Sequence, residues 1–103
     1  MSKIFIGIFL SLFSISAFSA TVEVRIEKMK FVPQEIRIKA GDTVEWKNYE
    51  KRGYHTVVLK SEGAVESDPM FPEESWKRKF DKKGEFPYYC GPHEEMTGVV
   101  IVE

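Results

Sequence analysis

Residues 31–48 read FVPQEIRIKAGDTVEWKN, and their apolar side chains recur at every second position. Ile36 and Ile38 alternate with Glu35, Arg37 and Lys39, and Val44 and Trp46 alternate with Glu45 and Lys47. A period of two places the apolar set on one face of an extended chain, which is the pattern of half-buried strands. Ala40-Gly41-Asp42 stands between the two runs as a turn. Working outward, Val22, Val24 and Ile26 alternate in the same way with Glu23, Arg25 and Glu27. Downstream, further strands are expected from Tyr54 to Lys60, Trp76 to Phe80, Glu85 to Cys90 and Gly98 to Val102. Pro33 and the segment from Asn48 to Gly53 supply turns, and residues 61–75, with Gly63, Pro69 and Pro72, read as an irregular crossover. No segment carries a sustained helical period. The expectation is an all-β chain folded as an antiparallel β-sandwich of about seven to eight strands.

The first 20 residues, MSKIFIGIFLSLFSISAFSA, do not fit that pattern. Lys3, an apolar run from Ile4 to about Phe18, and the small residues Ala17, Ser19 and Ala20 have the layout of a secretory signal peptide. Cleavage is expected after Ser19 or after Ala20. The apolar run is roughly 15 residues, short of the roughly 20 that span a bilayer. Residues 21–103 then form one exported domain, periplasmic in a bacterium. Without Lys3 it carries 14 basic and 16 acidic residues, a balance that argues against a nucleic-acid partner. The signs do segregate locally. Glu62, Glu66, Asp68, Glu73 and Glu74 fall in one stretch, and Lys77, Arg78, Lys79, Lys82 and Lys83 in the next. Two solvated surfaces account for them; a docking face for a charged partner is the sharper alternative.

A domain this small has a thin stability margin, and its single cysteine, Cys90, cannot form an internal disulfide. Cys90 sits in YYCGPHEEM, residues 88–96, with His93 and Met96 close behind it. The only other histidine, His55, begins a run in which Val57 and Leu59 share its parity; Phe86 and Tyr88 share that of Cys90. If these apolar residues face the core, His55 and Cys90 both point inward at strand ends, at one pole of the sandwich. Each residue alone has an ordinary explanation as core or loop. Together they form the His2Cys set with a thioether that blue-copper electron-transfer sites use. Bound metal would also occupy the thiol and stabilise the fold. Zinc suits His and Cys ligands as well.

The run from Phe31 to Asn48, then Gly53-Tyr54-His55-Thr56-Val57, then Tyr88 to Met96, resembles the cupredoxins, the type 1 blue copper proteins. The two-residue gap between His93 and Met96 is similar to that of the amicyanin/plastocyanin-like group, amicyanin in particular. The resemblance implies a Greek-key β-sandwich and one copper ion held by His55, Cys90, His93 and Met96. It also implies a surface His93 inside an apolar patch, where redox proteins dock and electrons pass. Two positions depart from the pattern. Thr56 stands where the family often has Asn, so the resemblance does not carry over a side-chain tie from there to the loop of residues 90–96. Asn48 is the candidate to replace it, while the Thr56 N–H is free to donate to the Cys90 sulfur. Glu94-Glu95 stands where related loops carry apolar residues, which makes the port more polar.

The function that follows is a monomeric one-electron carrier, not an enzyme. Copper protection or delivery with the same ligands is the alternative, and the absence of Met-rich or His-rich tails favours the carrier. A thiol enzyme built on Cys90 would leave Met96 and one histidine idle and lacks an orienting acid. The partner is not legible, although Lys51-Arg52 and the basic run from Lys77 to Lys83 offer positive charge to an acidic one.

Overall fold

A computed structural model describes residues 18–103, so most of the leader read from residues 1–20 lies outside the described residues. Nine strands follow: β1 (Thr21–Glu27), β2 (Lys30–Val32), β3 (Glu35–Ile38), β4 (Thr43–Asn48), β5 (Val58–Leu59), β6 (Val65–Glu66), β7 (Ser75–Lys79), β8 (Gly84–Tyr89) and β9 (Thr97–Val102). They build two sheets, β2-β1-β4-β7 and β3-β9-β8-β5-β6, that face each other as the expected sandwich. The described residues contain no α-helix, and no helix among them is long and apolar enough to cross a membrane.

The sheets are mixed rather than antiparallel. β1 pairs with β4 in parallel, Val24 beside Trp46, and β3 pairs with β9 in parallel, Ile36 beside Val100. The cause is the path of the chain. It leaves the first sheet after β2, lays β3 into the second, and returns for β4, so β1 and β4 are not joined by a hairpin. Alternation reports which face of a strand is buried, not which strand lies beside it.

The alternation does assign the core. Val24, Ile26, Val44 and Trp46 from one sheet meet Ile36, Ile38, Leu59, Tyr88, Val100 and Val102 from the other, all buried. Trp46 is the hub, with ring contacts to Tyr88 at 5.2 Å, edge on, to Trp76 at 5.5 Å and to Phe80 at 6.4 Å. Asp42 secures the turn before β4: its carboxylate accepts N–H bonds from Lys39 and Ala20, both at 2.9 Å.

The strand expected from Tyr54 to Lys60 is broken up. Only Val58–Leu59 is ladder, His55 makes an isolated bridge to Met70, and Lys60–Glu62 closes a 3-10 turn. Val57 explains the gap, because its N–H donates to the Ser67 hydroxyl at 3.0 Å instead of to a neighbouring strand. The acidic crossover is partly neutralised by two strands of the first sheet, since Glu62 pairs with Arg78 of β7 and Glu73 with Lys47 of β4. At one pole of the sandwich, the segments around His55, Met70 and Cys90 converge.

Candidate metal centre

The loop after β8 is folded by its own backbone. Cys90 N–H donates to Met96 O at 3.0 Å, His93 N–H to Cys90 O at 3.2 Å, and Met96 N–H to His93 O at 2.9 Å. These three bonds turn residues 90–96 back on themselves and bring Cys90, His93 and Met96 to one end of the fold. His55 is held from the opposite side by a reciprocal pair with Met70, N–H to O at 3.2 Å and 2.9 Å. Asn48 stiffens that side. Fully buried, it donates to Met70 O at 2.9 Å and Gly53 O at 3.4 Å and accepts from Glu50 N–H at 2.8 Å.

Three donor atoms meet as a result. Cys90 Sγ lies 3.6 Å from His55 Nδ1 and 3.7 Å from His93 Nδ1, and all three ligand atoms fall within 4.8 Å of one another. The spacing tests the fit of a metal. With bonds of about 2.3 Å to sulfur and about 2.0 Å to nitrogen, a trigonal angle separates S and N by about 3.7 Å and a tetrahedral angle by about 3.5 Å. The observed separations fall at the spacing that two imidazoles and a thiolate need to bind one metal ion. Met96 is 3% exposed and lies in the same loop, where a softer, more distant donor belongs.

The surroundings keep the imidazole neutral and the thiol protonated until a metal arrives. Burial pushes the His55 pKa below its usual value, and the neighbouring His93 ring adds to that. Burial likewise raises the Cys90 thiol, against a downward pull from the N–H groups of Thr56 and His93. Metal binding at this site therefore releases the thiol proton. His93 is half-buried, whereas His55 is 2% exposed and Cys90 fully enclosed, so His93 is the route from the site to solvent. Exposed apolar side chains flank other residues of the site: Tyr54 precedes His55, Phe71 meets Tyr54 in a tilted ring pair at 5.3 Å, and Met29 shares a surface hollow with Met96.

Two parts of the site differ from the sequence reading. The Thr56 side chain does tie to the loop, accepting the Gly91 N–H at 2.9 Å, and Asn48 does not, because its amide is spent on Met70 and Gly53. Thr serves because Gly91 offers a bare backbone N–H close by. The other part is Glu50, which went unread. Its carboxylate accepts the N–H groups of Lys28 and Met29, each at 3.1 Å, and faces His55 Nε2 at 3.3 Å. With Nδ1 aimed at the metal position, the ring proton sits on Nε2, opposite Glu50. That fixes the tautomer a ligand needs.

The family model for copper binding proteins of the plastocyanin/azurin family matches residues 18–103. The chain belongs to that family. Among its relatives, this cupredoxin is 42% identical over 89 residues to amicyanin-alpha of Methylorubrum extorquens, covering 82% of this chain and 74% of that one. It is 39% identical to the amicyanin of Paracoccus versutus over 80% of this chain and 64% of the relative, and 34% identical to the plastocyanin of Tetradesmus obliquus. The crystal structure of the Paracoccus versutus amicyanin superposes with a TM-score of 0.74 at 39% identity, over 81% of each chain. Copper is therefore the cofactor, and the cupredoxin is a type 1 copper electron-transfer protein, a carrier rather than an enzyme.

Proposed function

We propose that residues 21–103 act as an exported, periplasmic domain that shuttles single electrons between redox proteins, with copper held by His55, Cys90, His93 and Met96. The observation that carries this reading is the pair of S–N separations at 3.6 Å and 3.7 Å, built from the chain's only cysteine and its only two histidines. Copper supplies the one-electron couple. The protein supplies a site whose ligands are fixed in advance by backbone bonds, so little must move when the charge changes. His55 is locked by Glu50 and Met70, and Cys90 by Met96. His93 gives electrons a short path outward, and Tyr54, Phe71 and Met29 give a partner an apolar surface on which to exclude water. Lys51 and Arg52, exposed in the segment that leads to His55, favour a partner with acidic charge around its own port.

Repeated voltammetric cycling of the copper-loaded domain, with copper counted before and after, tests the carrier against a delivery protein. The carrier gives a reversible wave and keeps its metal over many cycles. Loss of copper on reduction would convert the reading to delivery or storage.

A further inference from the structure

Glu66 lies on β6, in the acidic crossover, and none of the four copper ligands touches it in sequence. The strand places it with care. Val58 pairs with Glu66, Ser67 N–H donates to Val57 O at 2.9 Å, and Met70 bridges His55, so residues 66–70 run antiparallel to residues 55–58 and are stapled at three points. From there the Glu66 carboxylate reaches across to Thr56 and takes its hydroxyl at 2.8 Å, while Thr56 Oγ1 takes the Gly91 N–H at 2.9 Å.

The direction of this chain of bonds is forced by chemistry. A backbone N–H can only donate and an ionised carboxylate can only accept, so the hydroxyl must accept from Gly91 and donate to Glu66. Glu66 thereby turns the Thr56 lone pair toward the residue that follows Cys90, and a charged acceptor strengthens the bond upstream of it. Space is as tight as the bonding. A Cβ on Gly91 would collide with the Glu66 carboxylate and come within 2.7 Å of Thr56 Oγ1. Among the described residues no Lys or Arg forms an ion pair with Glu66, so its charge stays uncompensated beside the loop.

We infer that Glu66 is a positioning residue for the copper loop: through Thr56 it fixes the Gly91 backbone behind Cys90, and its negative charge holds the reduction potential down. The inference rests on the copper reading above for the potential alone; the positioning exists in the metal-free protein.

Two variants separate the parts. Glu66→Ala removes acceptor and charge, and Glu66→Gln keeps an acceptor oxygen for the Thr56 hydroxyl while removing the charge. Amide exchange of Gly91 is read by NMR in the metal-free protein, and the potential by voltammetry of the copper-loaded one. Glu66→Ala is expected to speed Gly91 exchange about tenfold, the loss of one charge-assisted bond. Glu66→Gln, with a neutral acceptor in place of the charged one, speeds exchange less than Glu66→Ala does, and both variants raise the potential, because a nearby carboxylate stabilises Cu(II) more than Cu(I). Thr56→Val reproduces the exchange effect of Glu66→Ala, and Thr56→Ser restores protection. Unchanged Gly91 exchange in Glu66→Ala would overturn the positioning, and an unchanged potential in both variants would overturn the charge effect. A wild-type domain that gives no copper wave at all contradicts the copper reading, while the exchange measurement still decides the positioning.

Discussion

Glu50→Ala is the most informative single change outside the ligands. The carboxylate accepts two backbone N–H groups of the β1–β2 turn, Lys28 and Met29, each at 3.1 Å, and faces His55 Nε2 at 3.3 Å. The turn is exposed, so water replaces the carboxylate there and each lost bond costs about 1 kcal/mol. His55 is 2% exposed, and its ring N–H is left with no partner, at about 1–3 kcal/mol. The whole effect is about 4 kcal/mol, a large share of the stability of a small domain. Thermal unfolding of the metal-free protein then shifts by roughly 20 °C, taking roughly 4–8 °C per kcal/mol at this size. Glu50→Gln keeps one acceptor oxygen and costs about half as much. Nitrogen-15 spectra of the His55 ring supply a local check: the proton resides on Nε2 in the wild type. A drop below about 5 °C in Glu50→Ala would refute the reasoning. So would a ring proton on Nδ1.

Gly98→Ala drives a methyl group into the ring and hydroxyl of Tyr88, which is 1% exposed and wedged edge-on against Phe31 and Trp46. With nowhere for the ring to go, urea unfolding should show a loss of about 2–3 kcal/mol or failure to fold; a neutral result means the core can shift. Met96→Leu should keep the thiolate-to-copper colour and raise the potential, since Cu(II) loses more from the missing thioether than Cu(I); an unchanged potential removes Met96 from the site. Burial pushes the Tyr88 pKa up to about 12, so the unfolded chain loses this proton first as pH rises. The stability of the metal-free protein is thus complete below about pH 10 and falls by about 1.4 kcal/mol per unit from there toward 12. Tyr88→Phe should remove that part of the alkaline loss in urea titrations at pH 9 and 11, and an equal slope in the variant would contradict it.

Side-chain chemistry was legible in the sequence wherever one strand or one loop decided the outcome. Alternation in residues 31–48 assigned Ile36, Ile38, Val44 and Trp46 to the core, because burial of a strand face is a local property. The spacing of Cys90, His93 and Met96 was legible for the same reason, since a single seven-residue loop brings them together. What could not be read were relations between distant segments. The parallel pairs β1–β4 and β3–β9 depend on β3 crossing to the other sheet, which no local pattern encodes. Glu50 and Glu66 looked like ordinary surface acids among sixteen. Their roles come from where the backbone sets them: one within reach of His55 Nε2, the other beside Thr56. The Thr56 tie is a relation of the same kind, because its partner is a backbone N–H 35 residues away.

Titration of the metal-free domain with Cu(II), followed by visible absorption, tests the central claim most directly. A site of two imidazoles and a thiolate should give an intense thiolate-to-copper band that grows linearly and stops at one copper per chain. Cys90→Ser should abolish the band, and Glu50→Gln should leave it. A wild-type protein that stays colourless or pale with copper bound, or a band that survives in Cys90→Ser, would contradict the account.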